Sequence, residues 1–115
     1  MPKPVTLYHN PRCGKSRATL ALLRKKGIEP RIVEYLKEPP SAAELKRVLS
    51  LLGMRPRDLL RKAEAKAAGI DAAGTTDAAL IALMVKHPIT IERPIVVAGN
   101  RAALGRPPEA VLEIL

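Results

Sequence analysis

A chain of 115 residues fits one domain, its 47% hydrophobic content can furnish a core, and the lack of Phe and Trp makes that core aliphatic. No apolar run approaches the roughly 18 residues of a membrane span, Met1-Pro2-Lys3-Pro4 lacks the apolar stretch of a secretory signal, and a single cysteine excludes an internal disulfide, so the expected setting is reducing and cytoplasmic. The formal charge of +9, from 20 Lys and Arg against 11 Asp and Glu, suits an anion or an acidic partner; with the charges dispersed and only Tyr8 and Tyr35 to stack on bases, nucleic acid is not the expected ligand.

Residues 5–8, Val5-Thr6-Leu7-Tyr8, read as a buried strand that runs into a turn at Pro11. Ser16 then opens a helical run over 16–26, which carries Leu20, Leu23 and small Ala18 and Ala21, with Gly27 as a stop. Residues 31–35 form a second strand. Two strands joined by one helix make a βαβ unit, which predicts parallel pairing. Pro39-Pro40 breaks the chain, and Ser41 with Glu44 has the pattern of a capping box. Leu45, Val48, Leu49 and Leu52 behind it recur at helical spacing up to Gly53.

Residues 56–68 are rich in Arg, Lys and Ala and are helix-prone. After the loop 69–74, Thr75-Thr76-Asp77 supplies the N-cap of another helix, which buries Leu80, Ile81, Met84 and Val85 and ends at His87-Pro88. Ile95-Val96-Val97 is a third strand, and Gly99-Asn100 is a two-residue turn that returns residues 101–104 as an antiparallel partner. Gly105-Arg106-Pro107-Pro108 leads into a last helix whose apolar face is Val111, Leu112 and Leu115. The order is βαβ, a helical insert, then ββα. It predicts an α/β, thioredoxin-like domain over 1–115, a mixed four-stranded sheet flanked by helices, with a helical insertion at about 41–87.

The chemistry is concentrated at the first corner. Cys13 follows the first strand and precedes a helix, close to unpaired helix N–H groups, with Arg12, Lys15 and Arg17 around it. A thiolate is easiest to form in such surroundings. An unperturbed thiol has a pKa of about 8.5, and lowering it by about two units takes roughly 2.7 kcal/mol. A helix N-terminus alone supplies about 0.3–1 kcal/mol when exposed and up to about 2 in favourable geometry, so cationic neighbours and other donors must add the rest. The competing reading, an inert cysteine in an apolar slot, is opposed by the cationic surroundings.

In Cys13-Gly14-Lys15-Ser16, Ser16 occupies the place of a resolving cysteine. It can hydrogen-bond a thiolate or a bound oxyanion but cannot break a mixed disulfide, so a reacting Cys13 needs a thiol from another molecule. His9 either tunes Cys13 or caps the turn. His87 reads as a helix-end histidine, and one Cys with two separated His makes no metal site.

Three ordered motifs, Tyr8-His9-Asn10-Pro11-Arg12-Cys13-Gly14-Lys15-Ser16-Arg17, Arg93-Pro94-Ile95-Val96-Val97 and Gly105-Arg106-Pro107-Pro108-Glu109, resemble the glutaredoxin-linked arsenate reductase family. The likeness spans nearly the whole chain, including Asp58-Leu59-Leu60-Arg61-Lys62 and His87-Pro88-Ile89. It falls on a short branch ending as Ile114-Leu115 does, where better-studied reductases carry a longer C-terminal tail. The resemblance implies a catalytic Cys13, oxyanion-binding Arg61, Arg93 and Arg106, and a cis Pro94 beside the active cysteine. It also implies the reaction. Cys13 attacks arsenate, glutathione adds as a co-substrate, glutaredoxin takes the mixed disulfide, and arsenite leaves, with no bound cofactor. Guanidinium forks suit a tetrahedral oxyanion because they donate bidentately and stay charged. Two other functions fit the residues: a general monothiol oxidoreductase acting on glutathionylated substrates or another oxyanion, and a regulatory protein binding RNA polymerase. Against a disulfide sensor of that last kind stands Ser16 in place of a second cysteine.

Overall fold

The computed structural model describes residues 4–115; Met1-Pro2-Lys3, part of the stretch read as carrying no secretory signal, lies outside the described residues. The chain divides into two compact units, one formed by the segment up to Glu38 together with Arg93–Leu115, the other by Pro39–Glu92.

The first unit holds the whole sheet. Its strands are β1 (Val5–Tyr8), β2 (Arg31–Val33), β3 (Ile95–Ala98) and β4 (Arg101–Leu104), in the spatial order β2-β1-β3-β4. The βαβ expectation holds: β1 and β2 are parallel, with Leu7 opposite Ile32 and Tyr8 opposite Val33. β3 is antiparallel to β1 and pairs Val96 with Leu7, while β4 returns antiparallel beside β3. The return turn needs its glycine, because Gly99 has φ +60°, a region that side chains with a Cβ avoid. All four residues of β3 are buried, which is why its sequence is a continuous apolar run rather than an alternating one. Leu7, Val96 and Ala98 point to one face of the sheet and pack with Leu23 of α1 (Gly14–Lys25) and with Val111 and Ile114.

Two elements of this unit depart from the sequence reading. β2 ends at Val33, two residues early. The Glu34 carbonyl accepts the N–H groups of both Lys37 and Glu38 at 2.9 Å, so the backbone after Val33 closes into a turn in place of a ladder. The closing segment Pro108–Ile114 is a 3-10 helix instead of an α-helix. It buries Val111 and Ile114, while Leu115, expected on the apolar face, is exposed.

The second unit is helical: α2 (Ala42–Leu52), α3 (Pro56–Leu59), α4 (Lys62–Ala67), α5 (Asp77–Lys86) and a 3-10 turn at Pro88–Thr90. Ser41 caps α2, its Oγ accepting the Glu44 N–H at 3.1 Å, and Gly53 ends the helix at φ +67°. Thr76 caps α5 through the Ala79 N–H. The helix-prone stretch 56–68 forms two short helices, because Leu60 leaves helical geometry to bridge Ile91 in extended geometry. Arg61 N–H donates to the Thr90 carbonyl at 2.7 Å and Glu92 N–H to the Leu59 carbonyl at 2.8 Å. Two backbone bonds to a distant segment thus replace the helical bonds that residue preference favours.

Leu23 is fully buried at the centre of the apolar cluster. Leu23→Ala is expected to lower stability by about 2–5 kcal/mol, and Ser41→Ala, which removes only a cap, by about 1 kcal/mol. Urea titrations followed by circular dichroism check both, and equal losses would contradict the packing described.

Candidate active site

The corner after β1 is tightly bonded. His9 N–H donates to the Val33 carbonyl at 2.8 Å, Cys13 N–H to the Asn10 carbonyl at 2.9 Å, and Arg12 N–H to the Asn10 side-chain oxygen at 3.0 Å. Cys13 is the N-cap of α1, with extended backbone angles, and its carbonyl accepts the Arg17 N–H at 3.0 Å. The helix therefore opens at Gly14, two residues before the expected start at Ser16. That places the sulfur at the helix mouth, where N–H groups have no partner within the helix.

The thiol is half-buried, and burial by itself pushes its pKa up. The backbone N–H of Ser16, the side chain of Arg93, the backbone N–H of Lys15 and the charge of Arg93 act in the opposite direction. Together they outweigh burial and hold Cys13 below the ordinary thiol value. A hydrogen-bonded helix mouth and a cation are the conditions under which a thiolate is stabilised.

Arg93 and Arg106 come to the sulfur from the far side of the chain. Arg93 is buried, and the Arg93–Pro94 peptide is cis, as the resemblance implied; Arg106–Pro107 is cis as well, which no residue pattern had indicated. Arg106 donates through Nε to the Arg93 carbonyl at 2.7 Å and through Nη2 to Cys13 Sγ at 3.7 Å. One end of the guanidinium is thereby anchored and the other faces the sulfur.

Gly105 makes this approach possible. Its N–H donates to the Pro94 carbonyl at 2.9 Å. A Cβ there would lie 2.6 Å from Pro94 Cγ and 2.6 Å from Thr19 Oγ1. Thr19 is itself fixed, its hydroxyl donating to the Lys15 carbonyl at 2.8 Å. Gly105 was visible in the sequence only as part of a motif. The signal for its role was Gly followed by Arg-Pro-Pro at the end of a predicted strand, but what it must clear is set by residues far away in the chain.

Ser16 is fully buried, and its hydroxyl turns away from solvent. Its Oγ accepts the Asn10 N–H at 3.0 Å and shares a 2.7 Å hydrogen bond with His9 Nδ1. It is the Ser16 backbone, not the hydroxyl, that acts on the Cys13 sulfur. His9 is buried too, and its pKa lies below the ordinary imidazole range. Burial is the main cause; Glu34 opposes it, and Arg24 and Arg17 reinforce it. His9 thus joins the corner through Ser16. Asn10, 4% exposed, belongs to the same network and was not singled out by residue type.

Arg61 lies in the helical unit. There its Nε donates to Glu64 and its Nη1 donates to Glu92 at 2.6 Å. Burial disfavours its charge, and the two carboxylates more than offset that, so its pKa is raised. His87 caps the C-terminal end of α5. Among the described residues, no group of three or more His, Cys, Asp or Glu side chains is placed to hold a metal, and no helix is long and apolar enough to cross a membrane.

Arg93→Ala removes a hydrogen bond and a charge that favour the thiolate, so the Cys13 pKa is expected to rise toward the ordinary value, as read from thiolate absorbance against pH. Linkage gives a second readout. A thiol that titrates lower in the fold than in the unfolded chain adds stability that is complete above the ordinary thiol range. That stability is lost as pH falls through the folded pKa, and Cys13→Ser should flatten this slope. An unshifted thiol in Arg93→Ala would show that Arg93 does not stabilise the thiolate.

Comparison with known proteins places this geometry in a family. The chain is 49% identical to the uncharacterized protein YfgD of Escherichia coli K12, over 100% of this chain and 99% of the relative. It is 48% identical to an arsenate reductase of Rhizobium meliloti, over 96% of this chain and 81% of that protein. A solved arsenate reductase from Vibrio cholerae superposes with a TM-score of 0.90 at 47% identity, covering 100% of both chains. The sequence profile of the ArsC family matches residues 8–114, from the end of β1 to the end of the last 3-10 helix, and the chain belongs to that family.

Proposed function

We propose that this protein is an arsenate reductase in which Cys13 is the nucleophile and Arg93 and Arg106 are oxyanion ligands. The observation that carries the reading is the convergence on one half-buried thiol of a helix mouth, the Arg93 side chain and Arg106 Nη2 at 3.7 Å. Membership of the ArsC family and high identity to proteins named arsenate reductase support the choice of substrate.

The chemistry needs both features at once. A thiolate and arsenate repel each other, and convergent guanidinium groups offset that repulsion while fixing the oxygens. Cys13 attacks arsenic; the S–As bond forms as one As–O bond breaks, and that oxygen leaves as water with protons from solvent. Glutathione replaces a second oxygen in the same way. A glutaredoxin thiolate then attacks the glutathione sulfur. The S–As bond to glutathione breaks with its electron pair passing to arsenic, which falls from +5 to +3 as a glutaredoxin–glutathione disulfide forms. Water finally displaces Cys13, releasing arsenite and restoring the thiolate. The use of two outside thiols is supported by Ser16, which is buried against His9 and has no sulfur with which to resolve an adduct. The cycle suits a reducing cytoplasm and requires no bound cofactor. Arg61 is proposed, on the strength of the resemblance, as a third oxyanion ligand.

Arsenite production by purified protein with glutathione and glutaredoxin tests the reading. Cys13→Ser is expected to abolish it while leaving the circular dichroism spectrum intact; retained turnover overturns the mechanism. Arg106→Ala removes a charged donor, a loss of about 1.5–3 kcal/mol, and is expected to lower kcat/KM by about 10- to 100-fold.

A further inference from the structure

Arg61 is held in an unusual way for a residue meant to receive an anion. Two of the five N–H donors of its guanidinium are already committed to carboxylates. The cluster Glu64–Arg61–Glu92 carries one positive and two negative formal charges. It is also reachable, since each of the three side chains keeps 25% of its surface exposed.

A purely structural role accounts poorly for the second carboxylate. The two backbone segments here are already joined without it, by Arg61 N–H to the Thr90 carbonyl at 2.7 Å, by Glu92 N–H to the Leu59 carbonyl at 2.8 Å and by the bridge between Leu60 and Ile91. In addition, Glu92 immediately precedes Arg93, whose side chain acts on Cys13.

We propose that Glu92 and Glu64 are positioning residues that form a carboxylate latch on Arg61, setting the affinity for tetrahedral oxyanions lower than an unlatched arginine would. The inference rests on the reading of Arg61 as an oxyanion ligand. An incoming oxyanion competes with the two carboxylates for the guanidinium donors and meets their negative charge. The latch keeps Arg61 in one orientation and opposes occupation by any tetrahedral oxyanion, inorganic phosphate included.

The test measures KM and kcat for arsenate, and inhibition by inorganic phosphate, in the wild type, Glu92→Gln, Glu64→Gln, Arg61→Ala and the double variant Arg61→Ala/Glu92→Gln. Removing one carboxylate charge while keeping its shape is expected to lower both the arsenate KM and the phosphate inhibition constant by about 3- to 10-fold, with kcat little changed. The gain should vanish in the double variant, because it acts through Arg61. A merely structural ion pair predicts the reverse, weaker anion binding together with lower thermal stability. If Arg61→Ala weakens phosphate binding but neither glutamine variant strengthens it, the latch is overturned and Arg61 stands as a ligand. If Arg61→Ala leaves phosphate binding unchanged, the assignment of Arg61 as a ligand falls, and the latch with it. Glu64→Gln decides the matter should Glu92→Gln fail to fold.

Discussion

The geometry at Cys13 depends on the anchoring of one guanidinium. Arg106 donates through Nε to the Arg93 carbonyl at 2.7 Å, and this leaves Nη2 facing the Cys13 sulfur at 3.7 Å. A free arginine on a surface loop samples many rotamers, and ordering it is entropically unfavourable. Here the fork is pinned at one end, so less freedom remains to be lost in ordering the other. The anchor in turn requires the chain to pass close over Pro94 and Thr19, which Gly105 allows because it has no Cβ. A lone glycine in a loop thus sets where a charge sits next to a sulfur.

The thiol itself shows why no one contact suffices. Burial raises its pKa, and a nucleophile screened from water would remain protonated without opposing contributions. Backbone N–H groups at the start of α1 supply part of the opposition and Arg93 supplies the rest, through both a hydrogen bond and its charge. The first group comes from residues adjacent in sequence and the second from about eighty positions later. Both groups act to lower the pKa against burial. The Ser16 hydroxyl, in the motif place of a resolving cysteine, instead ties His9 to Asn10.

Arg61 contrasts with the other two arginines. Arg106 is anchored on the backbone carbonyl of Arg93. Arg61 is bound by two carboxylates. Sequence motifs cannot separate them, because an ion pair between positions 61 and 92 depends on the extended turn at Leu60 and its bridge to Ile91.

Residue order alone was enough for the larger architecture. Apolar runs, caps and breakers placed all four strands, the parallel βαβ unit and the return hairpin. The lone cysteine between a strand and a helix, flanked by cations, marked the corner proposed as the active site. These are local properties, carried by side-chain period and backbone preference over a few residues. What residue order left open was decided by contacts across the chain. Leu60 left a helix-prone run to pair with Ile91, and β2 stopped at Val33 for a turn. The Ser16 hydroxyl turned inward, Gly105 acquired its need to be glycine, and Arg61 acquired its two carboxylates. Each follows from a partner that the sequence places dozens of residues away, or from a choice between nearby hydrogen-bond partners that only the packed fold resolves.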